Sequence, residues 1–208
     1  MIRTFLAVEL PAALTQAIVQ VQADVRNRIS RELSPGMRLQ WVRPTAIHLT
    51  LKFFGDIPED HVDDLQSVVG DALHSLAPFS IAVAGLGVFP DLRVPRVLWI
   101  GLSAGPEESG GNPTTTLSHL DETIERSVEG LGYPPESRPF NPHLTLARIK
   151  EGSKEVGRVL ARIGLLDVDV QLGQLNVRTV ALVQSERRPS GSIYTKLWEV
   201  PLGGAGQG

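Results

Sequence analysis

Two histidines in this chain of 208 residues stand in identical surroundings, His48-Leu49-Thr50-Leu51 and His143-Leu144-Thr145-Leu146. In an extended strand successive side chains point to opposite faces, and residues i and i+2 share a face about 6.6 Å apart. Each tetrapeptide therefore sets His and Thr on one face and two leucines on the other. The leucines anchor the strand, and the His–Thr pair faces whatever lies across from it. Proton transfer near neutral pH suits histidine, whose unperturbed pKa is about 6.5. Two histidines flanking one reacting centre can act as general base and general acid in a single displacement. Two threonine hydroxyls can donate to oxygens on which charge accumulates. That set suits in-line attack at phosphorus, where positioning and charge stabilisation carry most of the catalysis. Serine-type acyl transfer fits poorly, because no Ser or Asp is placed by motif near either His. Zinc fits poorly too, because the pairs bring no carboxylate or thiol at ligand spacing. No metal and no other cofactor is expected. His61, His74 and His119 fall on helical segments beside the apolar stripes and are expected to face solvent.

Elements of alternating type must position these pairs. Thr4 to Leu10 reads as a strand, and Pro11 sits where a helix begins. Leu14, Ile18, Val21, Val25 and Ile29 recur at helical spacing. Arg38–Val42 and Ile47–Phe54 read as strands, the second closed by Gly55. Pro58 opens a helix striped by Val62, Leu65, Val69, Leu73 and Leu76, followed by a strand Phe79–Phe89 bulged at Gly85 and Gly87. The second half repeats the order. Val97–Leu102 is a strand, Ser103–Pro113 a Gly/Pro-rich loop, and Leu117 to Leu131 a helix ended by Gly132. The loop Tyr133–Pro142 leads into the strand His143–Ile149, then a helix Lys154–Ile163 and strands Val168–Val177, Val180–Ser185 and Ile193–Val200. The tail 203–208 is expected to be disordered. The halves share almost no identity except at the two tetrapeptides. The expected fold is α+β: a single domain of two pseudo-symmetric, duplicated lobes, roughly 1–90 and 91–200, with antiparallel-rich sheets flanked by helices and the motifs in a central cleft.

Composition narrows the classes. With 42% hydrophobic and 21% charged residues the chain can bury a sizeable core. It has no cysteine, which excludes disulfides, iron–sulfur clusters, thiolate zinc sites and a cysteine nucleophile. No apolar run reaches the roughly 18 residues that span a membrane. Glu9 and Pro11 interrupt any signal-peptide pattern at the N-terminus. A soluble, cytoplasmic, monomeric protein is the expectation. The net charge of −3 divides into +4 over residues 1–52, −10 over 53–135 and +3 over 136–208. A binder of long duplexes would be basic throughout, whereas two locally positive blocks can hold one phosphate or a strand end.

At these residues the sequence resembles the two-histidine (2H) phosphoesterase superfamily, defined by paired H-x-[T/S]-x motifs. The closer likeness is to the bacterial and archaeal RNA 2′,3′-cyclic phosphodiesterases, historically called 2′-5′ RNA ligases. It rests on Trp41-Val42-Arg43-Pro44 before His48-Leu49-Thr50-Leu51-Lys52-Phe53-Phe54-Gly55, and on Arg138-Pro139-Phe140-Asn141-Pro142 before His143-Leu144-Thr145-Leu146-Ala147-Arg148. Gly85-Leu86-Gly87-Val88-Phe89-Pro90, Val97-Leu98-Trp99-Ile100-Gly101 and Ser185, Gly191 and Tyr194 extend it over roughly residues 2–200. The resemblance implies a two-lobed α+β fold, no metal, and hydrolysis of an RNA terminal 2′,3′-cyclic phosphate, or a small cyclic nucleotide, to a 2′-phosphate. It implies His48 as general acid on the leaving 3′-oxygen, His143 as general base, and Thr50 and Thr145 on the phosphoryl oxygens. The residues alone leave open which His plays which part.

Four further side chains are candidates for substrate binding. Lys52 shares strand parity with His48 and Thr50 and is expected in the cleft. Arg148 matches the family's arginine, yet plain alternation turns it away from His143, so either the strand bulges or Arg148 is structural. Phe140 and Tyr194, like Phe53, could stack a terminal base or pack into the core. Two other functions fit the same residues. Reverse ligation to a 2′-5′ linkage would be a minor activity, since no G-x-x-x-x-G-K-[ST] loop is present to couple it to a triphosphate. A non-catalytic nucleotide-binding module would not need both His and both Thr.

Overall fold

Pro11, extended at φ −66° and ψ 154°, separates the first strand from the first helix, where its missing N–H removes nothing from the helical ladder. The computed structural model describes residues 1–103, 113–188 and 191–203; the loop expected over 104–112 and the tail over 204–208 lie outside the described residues. The elements in order are β1 (Ile2–Glu9), α1 (Ala12–Ser30), β2 (Arg38–Trp41), β3 (His48–Ile57), α2 (His61–Leu73), β4 (Phe79–Phe89) and β5 (Val97–Ser103). They continue with α3 (Pro113–Glu129), β6 (His143–Glu151), α4 (Ser153–Arg162), β7 (Gln171–Val177), β8 (Thr179–Arg188) and β9 (Gly191–Pro201). Gly55 does not close β3. The strand runs on to Ile57, and Gly55, at φ +77°, follows the unpaired Phe54 in a bulge against β1.

One sheet forms in the order β7-β4-β5-β6-β3-β1-β8-β9, with β2 on β6, and every pair is antiparallel. It curls into a half-barrel. From the central β3/β6 pair outward, β1, β8 and β9 on one side match β5, β4 and β7 on the other. The halves are therefore not divided at residue 90. β4 pairs with β5 and β7, and the C-terminal β8–β9 hairpin joins β1. Each side of the sheet draws strands from both halves of the chain, because pairing is non-local and an apolar alternation does not name its neighbour.

The helical stripes bury against one face. Leu14, Ile18, Val25 and Ile29 of α1, Leu65, Val69 and Leu73 of α2, and Leu117, Leu120, Ile124 and Val128 of α3 enter a single core. Leu6, Val8, Leu49, Leu51, Leu144 and Leu146 meet them there from the strands. The other face of β1 and β8 carries a small separate cluster, Phe5, Ala7, Ala181 and Val183. That face holds the site.

Two bulges match across the central pair. Leu6 opposes Lys52 and Ala7 opposes Thr50, leaving Leu51 without a partner. Leu98 opposes Ala147 and Trp99 opposes Thr145, leaving Leu146 without one. An unpaired residue reverses the alternation beyond it. Within α1, Gln22 is buried on the apolar stripe, and its Nε2 donates to the Val42 and Leu146 carbonyls at 2.7 and 3.0 Å. It thereby ties α1 to the second bulge.

Candidate active site

β3 and β6 touch at one register pair, Leu49 with Leu144. β6 then turns to β2, while β3 continues along β1. The leucines lie in the core, as alternation dictates, and His48, Thr50, His143 and Thr145 stand half-buried on the opposite face. A proline-bearing segment precedes each motif and presents a carbonyl two residues before the histidine. His48 Nδ1–H donates to the Ala46 carbonyl at 3.0 Å, and His143 Nδ1–H donates to the Asn141 carbonyl at 2.7 Å. A carbonyl only accepts, so each Nδ1 carries the proton and each Nε2 is left to the cleft.

Aromatic rings fix both imidazoles. His48 stacks on Phe5 with centroids 4.6 Å apart and takes Tyr194 edge-on at 5.2 Å. His143 meets Phe89 edge-on at 5.0 Å. Burial pushes His48 down to about 4, with the Arg148 and His143 charges adding to it and the Ala46 hydrogen bond and Glu9 opposing. His143 is lowered as well, first by burial and then by Arg148. Both rings are thus neutral at pH 7, each with an unprotonated Nε2.

Arg148 acts on both histidines because β6 bulges at Leu146. Ala147 stays in the core, and Arg148 emerges on the histidine face. The matching bulge at Leu51 in β3 overturns the expectation for Lys52. One residue past Leu51, its side chain turns into the protein at 6% exposure. There Nζ forms an ion pair with Glu125 of α3 and donates to the Pro134 carbonyl at 3.0 Å. Phe53 takes the cleft position instead, 52% exposed, stacked on Phe5 at 5.3 Å with the Arg3 guanidinium 5.7 Å above its ring. Phe140 is half-buried against the core rather than offered to a base. Tyr194 is partly exposed beside His48. Of the remaining histidines, His74 and His119 are exposed, but His61 is half-buried and hydrogen-bonded to the Tyr133 hydroxyl at 2.6 Å.

A cavity of about 570 Å³ opens beside the motifs, lined by Arg3, Arg43, Arg148, Lys150, Arg187 and Arg188. Phe53 and Tyr194 supply its rings, and no carboxylate is among its described lining residues. These cations come from three strands and one connection, so sequence spacing did not group them; the positive charge of the two end blocks was their only trace. Among the described residues no three or more His, Asp or Glu are clustered to hold a metal, and no helix is long and apolar enough to cross a membrane.

A family model described as LigT-like phosphoesterase matches residues 8–99 and 111–194. An RNA 2′,3′-cyclic phosphodiesterase of Methanothermobacter thermautotrophicus is 35% identical over 196 residues, covering 94% of this chain and 96% of its own. One from Aquifex aeolicus is 35% identical over 182 residues, covering 87% and 91%. A solved structure from Thermus thermophilus superposes with a TM-score of 0.73 at 31% identity, covering 98% of this chain and 99% of that one. Escherichia coli LigT complexed with 3′-AMP shares the fold, with a TM-score of 0.69 at 22% identity over 97% and 98% of the two chains.

Proposed function

The chain belongs to the LigT-like phosphoesterase family, and we propose that it hydrolyses the 2′,3′-cyclic phosphate at an RNA 3′ end to a 2′-phosphate, without a metal ion. The observation that carries this is the pair of imidazoles on one face, each with Nδ1 committed to a carbonyl and Nε2 free. His143 Nε2 takes a proton from water as its oxygen bonds to phosphorus. The bond from phosphorus to the 3′-oxygen breaks in line, and His48 Nε2–H delivers a proton to that oxygen. Thr50 and Thr145 donate to the non-bridging oxygens, and Arg148 balances their charge. The relatives' names support the activity, and the carboxylate-free cationic cavity suits a strand end.

His48 must be protonated to serve as acid, and burial opposes that. Its imidazolium is a strong acid in small population until the anionic phosphate settles between the rings and raises it. Purified protein with EDTA and a short RNA ending in 2′,3′-cyclic phosphate, followed by phosphorus NMR, tests the reading. A 2′-phosphate is the expected product. A 3′-phosphate would overturn the leaving-group assignment, and no conversion would overturn the activity. Substituting His48→Ala or His143→Ala lowers turnover by about 10²–10⁴-fold.

A further inference from the structure

The two motifs do not have equivalent neighbours. Opposite His48 on β1 stands Glu9; opposite His143 on β5 stands Gly101. Residues directly opposed on antiparallel strands share a face, with Cβ atoms about 4.5–5.5 Å apart. Glu9 therefore rises beside the His48 ring, and His143 has no such neighbour. Packing enforces the difference, because a Cβ at Gly101 would meet the Ala84 carbonyl oxygen at 2.8 Å.

Glu9 and His48 line one cavity of about 250 Å³ with Thr15, Thr45 and Tyr194. Lys196 Nζ binds Glu9 and Glu199, each at 2.8 Å, and holds the Glu9 carboxylate in place. The charged and titratable groups around His48 are Glu9 from β1, Tyr194, Lys196 and Glu199 from β9, and His143 and Arg148 from β6. Burial, Arg148 and His143 disfavour its imidazolium, whereas Glu9 favours it.

We infer that Glu9 is a positioning residue that supports the protonated form of His48, the acid of the proposed reaction, against the burial that opposes it. The acid's part in turnover rests on the cyclic phosphodiesterase reading; the electrostatic support from Glu9 does not. The device is electrostatic and acts across one strand. It adds an electrostatic asymmetry to a site built on two matched His–Thr pairs.

Histidine ring titration by NMR on the free protein tests it without turnover. Glu9→Gln lowers the His48 pKa by about half a unit, a screened single-charge effect, and leaves His143 in place. Lys196→Met frees the Glu9 charge and moves His48 the opposite way, while Glu9→Asp keeps the wild-type value. Opposite signs from the two variants are not expected of a general loosening of β1. A His48 pKa unchanged in Glu9→Gln, or equal shifts at both histidines, would overturn the inference. On cyclic-phosphate RNA, Glu9→Gln lowers kcat/KM at pH 7 about threefold, the half-unit loss of protonated His48. If the wild-type protein converts no such RNA, the activity reading fails while the titration still decides the part Glu9 plays.

Discussion

Lys52→Met separates the two places in which this lysine could work. In the structure Lys52 and Glu125 have side chains 5% and 12% exposed and form an ion pair. The Pro134 carbonyl accepts a second Lys52 proton, and the Glu136 N–H donates to Glu125 at 3.2 Å. Removing the ammonium leaves the carboxylate buried beside Asp121, whose own carboxyl is raised to about 6 by burial and the Glu125 charge. Breaking such a pair from one side costs about 3–5 kcal/mol. At about 2–4 °C per kcal/mol for a chain of this size, the midpoint falls by roughly 10 °C. Asp121 already titrates above its unfolded value, and losing the Lys52 charge raises it further, so the native state binds more protons. The loss is largest at pH 8 and shrinks as the pH falls toward 5. Replacing both partners, Lys52→Met with Glu125→Leu, removes the stranded charge and recovers most of the stability. Urea unfolding at pH 8 and pH 5, with kcat/KM measured alongside, reads all of this. A Lys52→Met protein of wild-type stability and lost turnover would refute the buried pair and return Lys52 to the cleft.

The pH dependence of kcat/KM should form a bell whose maximum lies below pH 6.5. The acid limb protonates the base and the alkaline limb removes the acid's proton, and both free-protein rings sit below their ordinary value; a plateau through pH 8 would contradict the burial of His48. Arg148→Met lowers kcat/KM by about 10²–10³-fold, the scale of one charge-stabilising group. It also raises the pKa of both histidines; NMR titration showing either ring unmoved would place Arg148 away from it. Gly157→Ala drives a Cβ to 1.9 Å from the Leu92 carbonyl oxygen and destabilises by about 1–3 kcal/mol. Thermal unfolding measures this, and a neutral result would mean that α4 can shift from the Leu92 segment.

The sequence was informative wherever an interaction repeats along one element. The stripe Leu14, Ile18, Val25 and Ile29 marks α1 because helical spacing is local, and the matched tetrapeptides expose the histidines because a strand alternates. Legibility stopped where a partner strand decides. Neither the place of β4 beside β5 nor that of β8 beside β1 follows from any run of residues. Plain alternation carried Lys52 into the cleft and turned Arg148 away, and each was reversed by an unpaired leucine on its own strand. A signal was present in Leu146-Ala147, two consecutive apolar residues where alternation allows one, but Leu51-Lys52 carries none, because a lysine's type does not announce its burial. Gln22 carries no sequence signal of its part, yet its amide bonds the carbonyl of the second bulge. Glu9 read only as an interruption of a short apolar stretch, and only the register with His48 gives it chemistry.

The paired bulges also make the cleft handed. Past its own unpaired leucine, one motif strand presents the Phe53 ring and the other the Arg148 guanidinium. On the proposed reading, a strand end entering the cleft passes an aromatic ring on one motif strand and a guanidinium on the other. Two strands of matching motif thus yield a receptor with a direction, and the chain gets it from two single-residue insertions rather than from a new element. Deleting either leucine would exchange inside for outside over the rest of that strand, so a one-residue change in length is a larger step here than most substitutions of type.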